Sequence, residues 1–123
     1  MNDADILKGE LILERTLCET ASTVVQDEDY YKMNLSYYLV EEDIGEETYN
    51  LKSYGVEIKK TAVFQDGHTE AECKRISNIF FKREETEEFI QKLAKNYVTP
   101  ISLKYVVEDY AEKLVFAGTA AGA

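Results

Sequence analysis

The chain contains no tryptophan, one proline, one histidine and two cysteines, and its 14 basic residues are outnumbered by 24 acidic ones. Each scarcity excludes something. A formal charge of −10 argues against non-specific binding to DNA, RNA or anionic lipid, because each of those needs a basic footprint. The same charge favours solubility and leaves open a basic protein partner. Cys18 and Cys73 are too few and too far apart for a disulfide-stapled secreted scaffold, so two free thiols are expected. With His68 as the single histidine, no zinc pattern of recognisable spacing exists, and neither a metal nor a cofactor is expected. No stretch approaches the roughly 20 apolar residues of a membrane span. The opening Met1-Asn2-Asp3-Ala4-Asp5 lacks the basic start and apolar run of a secretory signal. A cytoplasmic protein without membrane attachment is the expectation. Nucleotide-binding glycine patterns, a P-loop and a G-x-S-x-G nucleophile turn are also missing.

What is present supports one core. At 123 residues, 45% of them apolar, folding should bury roughly two thirds of the unfolded surface. There is no repeat and no Pro- or Ser-rich linker, so a single domain is expected over residues 9–116. Residues 1–8 and the small-residue tail 117–123 are expected to be flexible.

The middle of the chain alternates with a period of two. Leu35, Tyr37 and Leu39 interleave with Ser36, Tyr38 and Val40. A polar connection through Gly45 leads to Tyr49, Leu51 and Ser53, then past Gly55 to Val56, Ile58, Ala62 and Phe64. Gly55 inside a strand pattern predicts a bulge or bend. Asp66-Gly67 predicts a hairpin into a returning run from Ala71 to Phe81. Leu11, Leu13 and Leu17 fit an early strand, although Ile6, Leu7, Leu11 and Leu17 also fit a helix.

The last third changes period. Phe89, Ile90, Leu93, Ala94 and Tyr97 fall on one helical face, with glutamates in the first turns and Lys92 and Lys95 near the end. Thr99-Pro100 predicts a second helix by cap and first-turn proline, with Leu103, Val106, Val107, Tyr110, Ala111 and Leu114 as its apolar face. The sum is an α+β fold: an antiparallel sheet of about four strands followed by two C-terminal helices packed on one face. The other face can stay wet.

Few residues invite chemistry. His68 at a hairpin tip reads as an exposed loop residue before it reads as a general base. A Cys73–His68 dyad is conceivable, but a strand cysteine facing a core is inert. Glu41-Glu42-Asp43 and Glu46-Glu47 lack the ligand alternation of a calcium loop and read as a solvated connection. The tyrosines Tyr30, Tyr31, Tyr37, Tyr38, Tyr49 and Tyr54 lie on neighbouring strands, where core packing and cross-strand pairing explain them simply. Any that are exposed together favour a protein interface.

Tyr38-Leu39-Val40-Glu41, Ser53-Tyr54-Gly55-Val56-Glu57-Ile58, Ile76-Ser77-Asn78-Ile79 and Val98-Thr99-Pro100-Ile101-Ser102-Leu103 with Val107-Glu108-Asp109-Tyr110 resemble a family of small uncharacterised proteins of clostridia and related Firmicutes. The resemblance covers about residues 35–112 and leaves residues before Asp29 outside. It implies a bacterial, cytoplasmic protein and brings no activity or catalytic residue.

Two functional readings follow. The first is a non-enzymatic protein-interaction or regulatory module that binds through an aromatic strip on the sheet or through an acidic face, with Tyr38, Tyr54, Glu57 and Asp109 as candidate binding residues. A homodimer through an exposed sheet edge is compatible with it. The alternative is a small enzyme or ligand binder in which Glu57, Asp109 and Tyr54 converge in a pocket between sheet and helices. A nucleic-acid module would need Lys52, Lys59, Lys60, Lys74, Arg75, Lys82 and Arg83 to gather on one face.

Overall fold

A computed structural model describes residues 14–26, 30–43 and 51–122, with residues 30 and 114–122 described by backbone alone. Four strands come first: β1 (Glu14–Gln26), β2 (Tyr30–Asp43), β3 (Lys52–Phe64) and β4 (Thr69–Phe80). Two helices follow, α1 (Arg83–Lys95) and α2 (Pro100–Gly122). The strands form one antiparallel sheet in the order β1-β2-β3-β4, so each strand pairs with its sequence neighbour. This is the α+β arrangement the periodicities predict. Expectations for residues 1–8, Leu11, Leu13, Tyr49 and the side chains of Tyr30 and Leu114 lie outside the described residues.

The ambiguous early segment is a strand from Glu14 onward, and it extends to Gln26. Thr16, Thr20, Thr23, Val24 and Val25 make it rich in β-branched residues, which pack well on a pleated surface. The Asp66-Gly67 hairpin forms with Gly67 at φ +91°, and the Gly67 amide donates to the Phe64 carbonyl at 2.9 Å. That left-handed glycine is typical of a three-residue hairpin loop with a bulge.

Gly55 marks an irregularity, but the extra residues lie in the opposite strand. Val56 pairs with Ile76 while Tyr54 pairs with Phe80, so β4 bulges between them. Asn78 takes φ +63° there. A Cβ at position 55 would sit 2.2 Å from the Ile76 carbonyl oxygen and 2.7 Å from the Ser77 Cα. Glycine is therefore required by the close approach of two backbones.

One face of the sheet carries Met33, Leu35, Tyr37, Leu39, Val56 and Ile58, all buried. Phe89, Ile90 and Leu93 of α1, and Leu103 of α2, close the core over them. Phe80, Phe89 and Tyr110 meet with ring centroids 5.0–5.4 Å apart and inclined planes, the favoured arrangement for aromatic pairs. Two expected core positions are not buried. Tyr97 and Ala111 are exposed, Tyr97 because it has already left the helix.

The helix–helix link has a physical logic. Tyr97 adopts φ +52° just past the end of α1. The Val98 amide donates to the Leu93 carbonyl at 3.0 Å and the Tyr97 amide to Ala94 at 3.2 Å, the pattern of a Schellman cap. Tyr37, fully buried in β2, donates its hydroxyl to the Val98 carbonyl at 2.8 Å. Burial pushes the Tyr37 phenol up to about 12, so it remains a donor at any physiological pH. Thr99 precedes Pro100 as expected, and its carbonyl accepts from Ser102 and Leu103, both at 3.1 Å.

Candidate functional site

Register assigns every strand residue to a face. Across the face turned away from α1 and α2 run Leu17, Tyr38, Glu57 and Arg75, one from each strand in consecutive pairing. The neighbouring row is Thr20, Ser36, Lys59 and Cys73, and the next is Ser22, Asn34, Thr61 and Ala71. Arg15 flanks the first row from β1, opposite Val40.

Glu57 is the centre of this face and, among the described residues, the one buried charge, at 2% exposure. Arg75 donates through Nε at 2.8 Å and a terminal nitrogen at 2.6 Å to one carboxylate oxygen. Arg15 bonds the other oxygen. A buried carboxylate is tolerated when both oxygens accept charge-assisted bonds. The two guanidiniums stay partly wet, with side-chain exposures of 40% for Arg15 and 38% for Arg75. Arg15 also lies over the Tyr38 ring, 4.6 Å from its centroid, and Lys59 approaches the same ring at 5.7 Å. Such contacts fix an aromatic ring between cations.

The β4 bulge brings its backbone close to Gly55, and Val40 and Ser53 beside it are fully buried. Among the described residues, the Ser53 hydroxyl is the one buried side-chain polar atom without a hydrogen-bond partner.

The structure thus joins Tyr38 and Glu57 and separates the other two candidates from them. Tyr54 pairs with Glu41 and Phe80 on the helix-covered face and packs half-buried against the core. Asp109 lies on α2, exposed, in an ion pair with Lys113 at 3.1 Å. It borders a groove of about 580 Å³ between the helices, floored by Phe89, Leu93, Val98, Val106 and Tyr110. The convergence of Glu57, Asp109 and Tyr54 in one pocket is not formed, because Glu57 points to the opposite side of the sheet from the helices.

The basic residues that a nucleic-acid module would need on one face are divided by strand parity. Lys59 and Arg75 lie on the open face, whereas Lys60 and Lys74 pair with Leu35 and Ile58 on the helix side. Lys52 and Arg83 are drawn to Glu41 at 3.1 and 3.5 Å. Arg15 and Lys32 join the open face from strands where no basic cluster shows in the sequence. Only knowledge of the register could have found them.

Cys18 and Cys73 are free thiols. Cys73 faces solvent rather than a core, because its parity matches Glu57 and Lys59 rather than Ile58. Burial raises the Cys18 thiol above its ordinary value. His68 bonds Asp66 through Nδ1, lies 3.4 Å from Glu70 through Nε2, and stacks on Phe64 at 4.3 Å. Among the described residues its polar contacts are these carboxylates, and the Cys73 dyad is not formed. No group of three metal-ligating side chains converges among the described residues. No described helix is long and apolar enough to cross a membrane.

Comparison with known proteins gives one match. A family of unknown function, DUF6514, matches residues 16–113. No curated protein and no solved structure matches the chain. The matched span takes in β1, which the resemblance seen in the sequence leaves outside, and the pairing of β1 along nearly all of β2 explains why the family unit must include it. Covering all four strands, α1 and the first half of α2, the match shows that the chain belongs to the DUF6514 family.

Proposed function

We propose that the protein is a non-enzymatic interaction module of the bacterial cytoplasm that holds an acidic segment of a partner protein on the open face of its sheet. The observation that carries this reading is the cation and aromatic cluster around Glu57. Among the described residues, Arg15, Lys59 and Arg75 lie around Glu57 and Tyr38, while Lys32 and Glu42 sit farther along the same face, four cations to two carboxylates. In a chain of net charge −10, this surface has the opposite sign to the whole.

Glu57 is consumed by Arg15 and Arg75, yet each guanidinium keeps solvent-facing N–H donors. An incoming carboxylate can use these without displacing Glu57. Tyr38 offers a ring and a hydroxyl at the centre, and tyrosine is enriched in protein interfaces. The surrounding Thr20, Ser22, Ser36 and Thr61 form a flat field of small hydroxyl residues over which an extended segment can lie. A nucleic acid fits less well. It would bring uniform negative charge beyond the patch, toward an acidic remainder.

The test is affinity capture from the producing cells with three baits: wild type, Tyr38→Ala/Lys59→Glu on the open face, and Lys104→Glu on the exposed side of α2. A protein retained by the first and third baits but lost by the second supports the reading. Equal recovery by all three overturns it.

A further inference from the structure

We propose that the outer edge of β1 is a self-pairing surface, through which two copies of this chain join into one continuous eight-stranded sheet. Among the described residues, β1 and β4 are the two edges of the sheet. An exposed edge presents unpaired backbone donors and acceptors, and proteins guard such edges with charges, prolines and bulges. The β4 edge is guarded. It carries Glu70, Glu72, Lys74 and Arg75, and a bulge with Asn78 at φ +63°. The first half of β1 is guarded too, by Glu14, Arg15, Glu19 and a bulge between Leu17 and Glu19.

The second half of β1 is different. Thr20-Ala21-Ser22-Thr23-Val24-Val25-Gln26 holds no charge, no proline and no glycine, and four of its seven residues are Thr or Val. Val24 is 46% exposed. A segment of high strand propensity and low charge on an open edge is a template for pairing.

The occupant that fits is a second copy, because the segment is complementary to itself. With a two-fold axis at Thr23, Thr20 faces the partner's Gln26, Ala21 faces the partner's Val25, and Ser22 faces the partner's Val24. No like charges are opposed, which would be unfavourable directly across a ladder. Every such pair also keeps its face, since side-chain alternation has a period of two. Ala21, Thr23 and Val25, half-buried on the helix side, would continue the interior. Thr20, Ser22, Val24 and Gln26 would continue the open face. The two-fold is isologous, the commonest arrangement for homodimers.

A second feature sits beside the edge. Tyr97, 46% exposed and held at positive φ, lines a depression with Glu19, Ala21, Ser22, Gln91 and Lys95. A partner strand laid against β1 would cover this aromatic ring. Glu19 and Lys95 lie at its rim. The acidity of the chain opposes the association at long range, and physiological salt screens that repulsion beyond about 8 Å.

The experiment is sedimentation velocity on the full chain and on two double variants at the same exposed positions, with circular dichroism on each. Wild type is expected to sediment with twice the chain mass at micromolar concentration. In Ser22→Lys/Val24→Lys, each lysine opposes a lysine of the partner, and the doubled mass is lost. In Ser22→Lys/Val24→Glu, each lysine opposes a glutamate, and the doubled mass is retained. A monomeric wild type across the micromolar range overturns the proposal. Identical behaviour of the two double variants, whether both monomeric or both dimeric, overturns it equally.

Discussion

Glu57→Gln removes the charge at the centre of the open face while keeping its shape. One carboxylate oxygen accepts from Arg75 and the other from Arg15. Glutamine retains one acceptor and turns an NH2 group toward the other guanidinium, so a charge-assisted bond becomes a donor facing a donor. Breaking a fully buried ion pair costs about 3–5 kcal/mol. That figure is too large here, because Arg15 and Arg75 are 40% and 38% exposed and a released guanidinium can turn to water. The loss is then nearer the value of one hydrogen bond to a charged group, about 1.5–3 kcal/mol. For a domain of this size that lowers Tm by roughly 4 °C per kcal/mol. Urea unfolding followed by circular dichroism measures it. Arg75→Met should cost less in the Glu57→Gln background than in wild type, giving a coupling energy of about 1 kcal/mol or more. A change under about 0.5 kcal/mol, the range of ordinary surface substitutions, would show that the carboxylate does not organise this face.

Tyr37→Phe deprives the Val98 carbonyl of its donor and should cost about 1–2 kcal/mol in chemical unfolding. An unchanged midpoint would mean that the hydroxyl does not secure the helix–helix link. Gly55→Ala drives a methyl group into the β4 backbone and should cost about 1–3 kcal/mol, whereas Gly67→Ala meets no atom within 4 Å and suffers only its positive φ, about 1–2 kcal/mol. The reverse order of stabilities would contradict the bulge geometry. Hydrogen bonds to Asp66 and Glu70 hold the His68 imidazole above the ordinary histidine value, and its contacts hold Asp66 below the ordinary carboxylate value. The raised His68 value stabilises the hairpin fully below the unfolded histidine pKa, and this contribution fades as pH rises through the folded one. The lowered Asp66 value contributes above the unfolded carboxylate pKa and fades as pH falls through the folded one. An NMR titration of the His68 ring should show a midpoint above that of an unstructured peptide, falling in Asp66→Asn. Equal midpoints in protein and peptide would refute the pairing.

Much of this architecture was legible because periodicity reports burial. Leu35, Tyr37 and Leu39 alternate with Ser36 and Tyr38, and the first set is buried while Ser36 and Tyr38 are partly exposed. Phe89, Ile90 and Leu93 recur at helical spacing and are buried together. Gly55 flagged the bulge because close backbone approach leaves no room for a side chain. The hidden parts depend on register and tertiary override. Nothing local says that Arg15, Tyr38, Glu57 and Arg75 share one face, since that requires knowing which residues pair across three ladders. Glu57 stands out as a candidate in the sequence, but that two arginines from other strands enclose it follows only from the register. Tyr97 occupies a capping position where glycine is usual, so the cap carries no sequence signal and the spacing alone places the tyrosine on the apolar helix face. Thr86 was missed because a threonine in an acidic run gives no sign of burial, yet it is fully buried and its hydroxyl donates to the Lys82 carbonyl at 2.9 Å.

The two faces of the sheet differ in the side chains they carry. On the helix side, large apolar side chains from the sheet and both helices close the core, and several charges at its margin are matched locally: Glu41 to Lys52 and Arg83, Glu72 to Lys60, Asp109 to Lys113. On the open side, one carboxylate is shared by two arginines, and Lys59 is held near an aromatic ring rather than an acid. The two guanidiniums held on Glu57 would repel one another without that anion between them. Glu57 supplies that anion from a buried position, where it offsets the repulsion but is itself shielded from an approaching ligand. The result is a rigid surface whose outward-facing charge is positive although the chain as a whole is strongly negative. Among the described residues neither helix covers this face, and its charge is what the anionic partner segment proposed above would need.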